Sequence, residues 1–120
     1  MNITELLNMD SFTLIEHLYM EYVVELPEAL ITVEDMQEAG SLLPKLINAY
    51  SFLASASEYA KVLVRENKGK IPKDELNELM GKRDAIIQAA ETAKMQYTAL
   101  SRMITVKQEI NNELRMSEIR

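Results

Sequence analysis

PKDELNELMGKRDAIIQAAETAKMQYTALSRMITVKQEINNELRM, residues 72–116, has Gly81 as its one poor helix former after the opening proline. Pro72 suits the first turn of a helix, where its missing N–H costs nothing, and Asp74 and Glu75 meet the positive end of the helix dipole. The stretch predicts one helix of roughly 43 residues, about 65 Å long at 1.5 Å per residue. Its apolar positions are Leu76, Leu79, Met80, Ile86, Ile87, Ala90, Ala93, Tyr97, Leu100, Met103, Ile104, Ile110 and Leu114. They follow a seven-residue pattern with a widened face, interrupted by Arg83, Lys107 and Asn111. A stripe this long has to be covered by another helix.

Upstream, Thr32-Val-Glu-Asp35 is a capping box opening a second periodic run through Met36, Ala39, Leu43, Leu46, Ile47, Tyr50, Leu53, Ala60 and Val64. Asn67 and Gly69 end it. Pro44 lies inside this run, so either Ser41 caps a new helix with Pro44 in its first turn or one helix bends there. The short connection from Asn67 to Ile71 makes the two long runs an antiparallel hairpin. Close to that turn Ala54, Ala56 and Ala60 face Ala85, Ala89, Ala90 and Ala93, so the backbones approach closely.

A shorter run, Ser11 to Leu26, spaces Phe12, Ile15, Leu18, Tyr19, Tyr22, Val23 and Leu26 along one helical face. Thr13 with Glu16 offers it a capping box and Pro27 stops it. Tyr22-Val-Val-Glu25 is the one place where a strand competes, but no partner strand is visible elsewhere. The expected fold is therefore all-α, a long coiled-coil-like antiparallel helical hairpin with a shorter N-terminal helix packed on it. It forms a single helical domain over 1–120, divided into an acidic helical segment 1–31, a second helix 32–68 and a long third helix 72–116.

Composition narrows the chemistry. The chain has 120 residues, 48% of them apolar, and no cysteine, so disulfides, thiolate metal sites and cysteine nucleophiles are excluded. No apolar run approaches the ~20 residues of a membrane span, and the acidic N-terminus is unlike a signal peptide, so a cytoplasmic protein is expected. There is no Gly-rich phosphate loop and no Gly-x-Ser-x-Gly elbow. The one histidine, His17, has only Glu21 at i+4 to orient it, and reads as a helix-surface residue. Glu34, Asp35 and Glu38 suit a cation, yet helix capping explains them fully. No enzyme, cofactor or metal centre is expected.

Charge is divided unevenly. The first 44 residues hold Glu5, Asp10, Glu16, Glu21, Glu25, Glu28, Glu34, Asp35 and Glu38 and no Lys or Arg, while all 13 basic residues lie from Lys45 onward. The acidic segment suits docking on a basic surface of this chain or a neighbour, or imitation of nucleic acid in the site of a DNA-binding host enzyme. Lys61, Arg65, Lys68, Lys70 and Lys73 gather at the expected hairpin tip, with Lys82 and Arg83 further down. These five are the candidate nucleic-acid contacts, interleaved with Glu58, Glu66, Asp74, Glu75 and Glu78. Tyr50, Tyr59 and Tyr97 are of the type that stacks bases, though Tyr50 and Tyr97 fall on core positions. The eight methionines read chiefly as core filler. Because the third helix outruns the second, Tyr97, Leu100, Ile104, Ile110 and Leu114 are the candidate self-association residues of a homo-oligomer.

Glu38-Ala-Gly-Ser-Leu-Leu-Pro-Lys-Leu-Ile-Asn-Ala-Tyr50, Tyr59-Ala-Lys-Val-Leu-Val-Arg65 and Gln96-Tyr-Thr-Ala-Leu-Ser-Arg-Met-Ile-Thr-Val-Lys-Gln-Glu-Ile-Asn111 resemble small all-helical early-region proteins of bacteriophages and prophages of Gram-positive bacteria. The resemblance spans about residues 33 to 116 and carries no catalytic motif. It implies a non-enzymatic accessory protein working beside DNA metabolism or against a host factor, inside the bacterial host. The expected function is a helical scaffold that self-associates and engages a protein partner. A nucleic-acid-binding accessory of replication or recombination and an acidic inhibitor of a host enzyme are the alternatives.

Overall fold

The structure, a computed structural model, describes residues 1–119. It is an all-α rod, 73 × 21 × 20 Å, made of α1 (Ile3–Asn8), α2 (Ser11–Tyr22), α3 (Val33–Asn67) and α4 (Lys73–Ile119). Helices α3 and α4 form the antiparallel hairpin, α2 packs on α4, and α1 reaches α3. No strand occurs among the described residues, and Val23 and Val24 are irregular chain.

The hairpin turn is set by local chemistry. The Asn67 side-chain amide donates to the Leu63 carbonyl at 2.8 Å, and the Lys70 N–H donates to the Asn67 carbonyl at 3.0 Å. Gly69 takes φ +78°, the left-handed conformation that a side chain would strain. The Pro72 carbonyl then accepts the first bond of α4 from Leu76 N–H at 3.0 Å.

At the other end of α3 the capping box forms as expected. Thr32 Oγ1 accepts from Asp35 N–H at 3.0 Å, and Asp35 Oδ2 accepts from Thr32 N–H at 2.9 Å and Ile31 N–H at 3.0 Å. These bonds, the one from Thr32 foremost, hold the Asp35 carboxyl below its ordinary pKa of 3.8. A folded-state pKa below the unfolded one contributes stability that is fully present above about pH 4 and disappears as pH falls through the folded value. Asp35→Asn should therefore melt at a lower temperature than the parent at pH 7, and the gap between the two melting temperatures should narrow as pH falls below the ordinary carboxylate value of 3.8. A gap that stays constant across this range would rule out the carboxylate as its cause.

Pro44 separates nothing: α3 runs through it as one helix. The proline lacks the N–H that the Gly40 carbonyl would accept, and both residues sit on the water side, where solvent replaces the bond.

The N-terminal segment differs from its expected form in three ways. It contains two helices, because Asn2 Oδ1 caps α1 by accepting from Glu5 N–H at 2.8 Å. Asp10, not Thr13, starts α2, its Oδ1 accepting from Thr13 N–H at 2.7 Å. Helix α2 stops at Tyr22, before Pro27, because Val24 finds other bonds: Gln96 Nε2 donates to the Val24 carbonyl at 2.7 Å and Gln96 Oε1 accepts from its N–H at 3.3 Å.

Two apolar clusters lie along the rod. Nearer the turn, Leu6, Leu7, Leu14 and Leu18 close over Leu53, Ala56, Ala60, Ile86 and Ala90, with Ala85 and Ala89 at the margin. Small residues let α3 and α4 meet closely here, and the buried Ser57 hydroxyl donates to the Ala54 carbonyl at 2.8 Å. Nearer the open end, Leu30, Ala39, Leu46 and Leu100 pack together, flanked by Val24, Leu26 and Tyr97.

Candidate functional site

Helix α4 has 47 residues and α3 has 35, so α4 runs on past the start of its partner. That difference decides what the expected self-association residues do. Leu100 is fully buried under Leu46, Ala39 and Leu30, and Tyr97 and Ile104 are partly buried against the same cluster. These three are spent inside the chain, because the irregular segment from Val23 to Thr32 folds back over α4 and supplies the cover that the hairpin lacks. Ile110 and Leu114 remain 46% and 59% exposed, with Val106 and Met116 beside them. A groove of about 470 Å³ bounded by Leu30, Met103, Val106 and Ile110 marks where the cover ends.

The second exposed apolar surface lies on α2. Its buried side is Leu14 and Leu18, which leaves Phe12 79% and Tyr19 70% exposed, and Ile15 open as well. A groove of about 430 Å³ runs between this stripe and α4, walled by Ile15, Leu18, Tyr19 and Val23 on one side and by Ala85, Gln88, Ala89 and Thr92 on the other. The expected inward face included Phe12, Ile15 and Tyr19, and the structure turns these outward. Apolar residues cover well over half the circumference of α2, so periodicity alone does not choose a face; the two leucines fit the alanine-lined surface of α4 better than the aromatic rings do.

The basic residues divide into two groups. Lys61 pairs with Glu58 at 3.0 Å, and Arg65, Lys68, Lys70 and Lys73 are exposed around the turn with no ion pair among the described residues. Lys82 and Arg83 serve the fold: the Lys82 ammonium donates to the Leu7 carbonyl at the end of α1, at 3.0 Å, and Arg83 Nε pairs with Asp84 at 2.9 Å. Beside Lys82, the bonds from Thr13 above all hold the Asp10 carboxyl below its ordinary pKa. No ion pair among the described residues joins an acid of the first 44 residues to the tip. Nor is the acidic segment a detachable arm, since Leu6, Leu7, Leu14 and Leu18 belong to the core.

The remaining candidates are structural. His17 meets Tyr22 edge to face at 5.8 Å between ring centres, and its buried Nε2 has no hydrogen-bond partner, so Glu21 does not orient it. Tyr22 stacks on Phe52 at 5.9 Å, and burial first, then the Glu21 charge, raises its phenol pKa. Lys94 sits 6.0 Å over the Tyr50 ring. Tyr59 stays exposed on α3. Among the described residues no three His, Asp or Glu side chains cluster as metal ligands would, and Asp35, the most engaged of the acids near Glu34 and Glu38, is occupied in capping. No helix is long and apolar enough to cross a membrane among the described residues.

No protein-family model, no curated protein and no solved structure matches this chain. The chain offers two apolar faces, one along α2 beside α4 and one on the overhang of α4, and a cationic turn at the opposite end from that overhang.

Proposed function

We propose that this chain is a non-enzymatic helical scaffold, a phage-type accessory protein of the bacterial cytoplasm, that joins copies of itself and offers a helical face to a protein partner. The observation that supports it is the apolar stripe Val106, Ile110, Leu114 near the end of α4, exposed to 47%, 46% and 59%. A second copy removes such a stripe from water at little cost in ordering, because the helix is already formed. Light scattering is expected to give a multiple of 13.7 kDa that persists in high salt, since apolar burial does not weaken with ionic strength. Ile110→Asp with Leu114→Asp should reduce it to the single-chain mass. A parent protein that is monomeric at every concentration would end this reading.

Nucleic-acid binding at the turn is the second reading, favoured by Arg65, Lys68, Lys70 and Lys73 standing exposed and unpaired at one end of the rod among the described residues. Four phosphate contacts make affinity fall steeply with salt, with a log–log slope of roughly −3 on a single strand. A short single-stranded DNA should bind the parent in low salt and be lost from Lys68→Glu, Lys70→Glu. Binding that survives the double change would refute it.

A further inference from the structure

The groove between α2 and α4 is apolar along its floor and acidic at both rims. Glu16 flanks the exposed stripe of Phe12, Ile15 and Tyr19 on α2; on α4, Asp84 lines the groove and Glu91 follows two turns on, on the same side. Of the nearby cations, Lys82 is held by the Leu7 carbonyl and Lys94 sits over Tyr50, while Arg83 pairs with Asp84 and offsets its charge, which leaves Glu16 and Glu91 as the rim carboxylates without an ion pair among the described residues. The first 44 residues hold no base at all. Resting on the scaffold reading, we propose that this groove is the docking site for an amphipathic, basic helix of a different protein, its apolar side on Phe12, Ile15 and Tyr19 and its Lys or Arg residues over Glu16 and Glu91.

Three features select this occupant. Two parallel ridges with a trough between them receive a third helix side-on, completing a three-helix layer, and the 12 residues of α2 give it about three turns of contact. The unpaired carboxylates of Glu16 on one rim and Glu91 on the other reward cations and repel an acidic helix or an anionic lipid surface. A second copy of this chain does not supply the complement: its α2 carries no base, and its other exposed apolar stripe, the overhang from Val106, balances Lys107 and Arg115 against Glu109, Glu113 and Glu118.

The test uses the full chain and a labelled amphipathic Leu/Lys helix of about 15 residues, with a Leu/Glu helix of the same pattern as comparison, followed by fluorescence anisotropy at physiological salt. The Leu/Lys probe is expected to bind the parent and the Leu/Glu probe to fail. Phe12→Ala with Tyr19→Ala, and separately Glu16→Lys with Glu91→Lys, should each weaken binding about tenfold or more. Ile110→Ala with Leu114→Ala should leave it unchanged. All of these side chains are exposed, so the variants keep the fold, which circular dichroism checks. Equal binding to every variant would reduce the effect to diffuse charge and overturn the proposal, as would binding of the Leu/Glu probe, adsorption to anionic vesicles, or no binding by the parent. Self-association is read independently by light scattering, so loss of the groove leaves the scaffold standing and loss of the oligomer leaves the groove measurable.

Discussion

Leu53→Ala is expected to lower the free energy of unfolding by about 2–5 kcal/mol. Leu53 is fully buried where all four helices converge, between Leu14 and Leu18 above and Ile86 beyond. Removing three carbons there loses their transfer energy and leaves a void, and the surroundings cannot close it. Leu14, Leu18 and Ile86 are themselves held by their own packing, so they cannot move in without opening a gap elsewhere. Denaturant unfolding should show the loss with an unchanged slope, and thermal melting a fall of roughly 10 °C or more. Leu114→Ala supplies the contrast: exposed on the overhang, it should change the stability of the single chain by less than about 0.5 kcal/mol while weakening self-association. A cost under about 1 kcal/mol for Leu53→Ala would mean that the N-terminal helices do not pack as described.

Gln96→Ala is expected to cost about 1–3 kcal/mol, with a more local character. One side chain satisfies both the N–H and the carbonyl of Val24 across 72 residues of sequence. Losing it strands a partly buried donor and acceptor together, and it leaves the segment from Val23 to Thr32 held to the hairpin by the packing of Val24, Leu26 and Leu30 alone. Limited proteolysis should then cut within residues 23–32 of the variant well before the parent, while the helical signal falls little. Gln96→Glu separates the two bonds: the carboxylate still accepts from the Val24 N–H but opposes its carbonyl, so the variant should resemble Gln96→Ala at pH 7 and recover partly near pH 4, where protonation restores a donor. Equal protease resistance in the parent and both variants would contradict this role for Gln96.

How much of this was legible in the chain follows the range of each interaction. Thr32 with Asp35, Asn67 with Gly69, and Pro72 act within a few residues, and the helix ends they dictate agree with the structure. The alanine seam was readable because close approach of two helices needs small residues at matched distances from the turn. Helix α1 was missed because six residues are too few to show a period; Asn2 before Glu5 was the available signal. Asp10 was overlooked beside Thr13, although a carboxylate before Ser11 caps at least as well. The end of α2 was not readable from Pro27, since the deciding partner, Gln96, is remote in sequence. The same segment explains why Leu100, Tyr97 and Ile104 are covered while Ile110 and Leu114 are not. The outward turn of Phe12 and Tyr19 depended on which face met α4, and the pattern of α2 fits more than one.

The long dimension of the rod, 73 Å, is about nine screening lengths at physiological ionic strength. Charge placed on the turn is thus imperceptible at the overhang, and a molecule held at one end exerts neither a field nor a steric limit on the other. The helical hairpin works as an insulating spacer, which makes its ends free to change independently: the cations around Gly69 can be gained or lost without disturbing the stripe at Ile110, provided that the seam between them keeps its length.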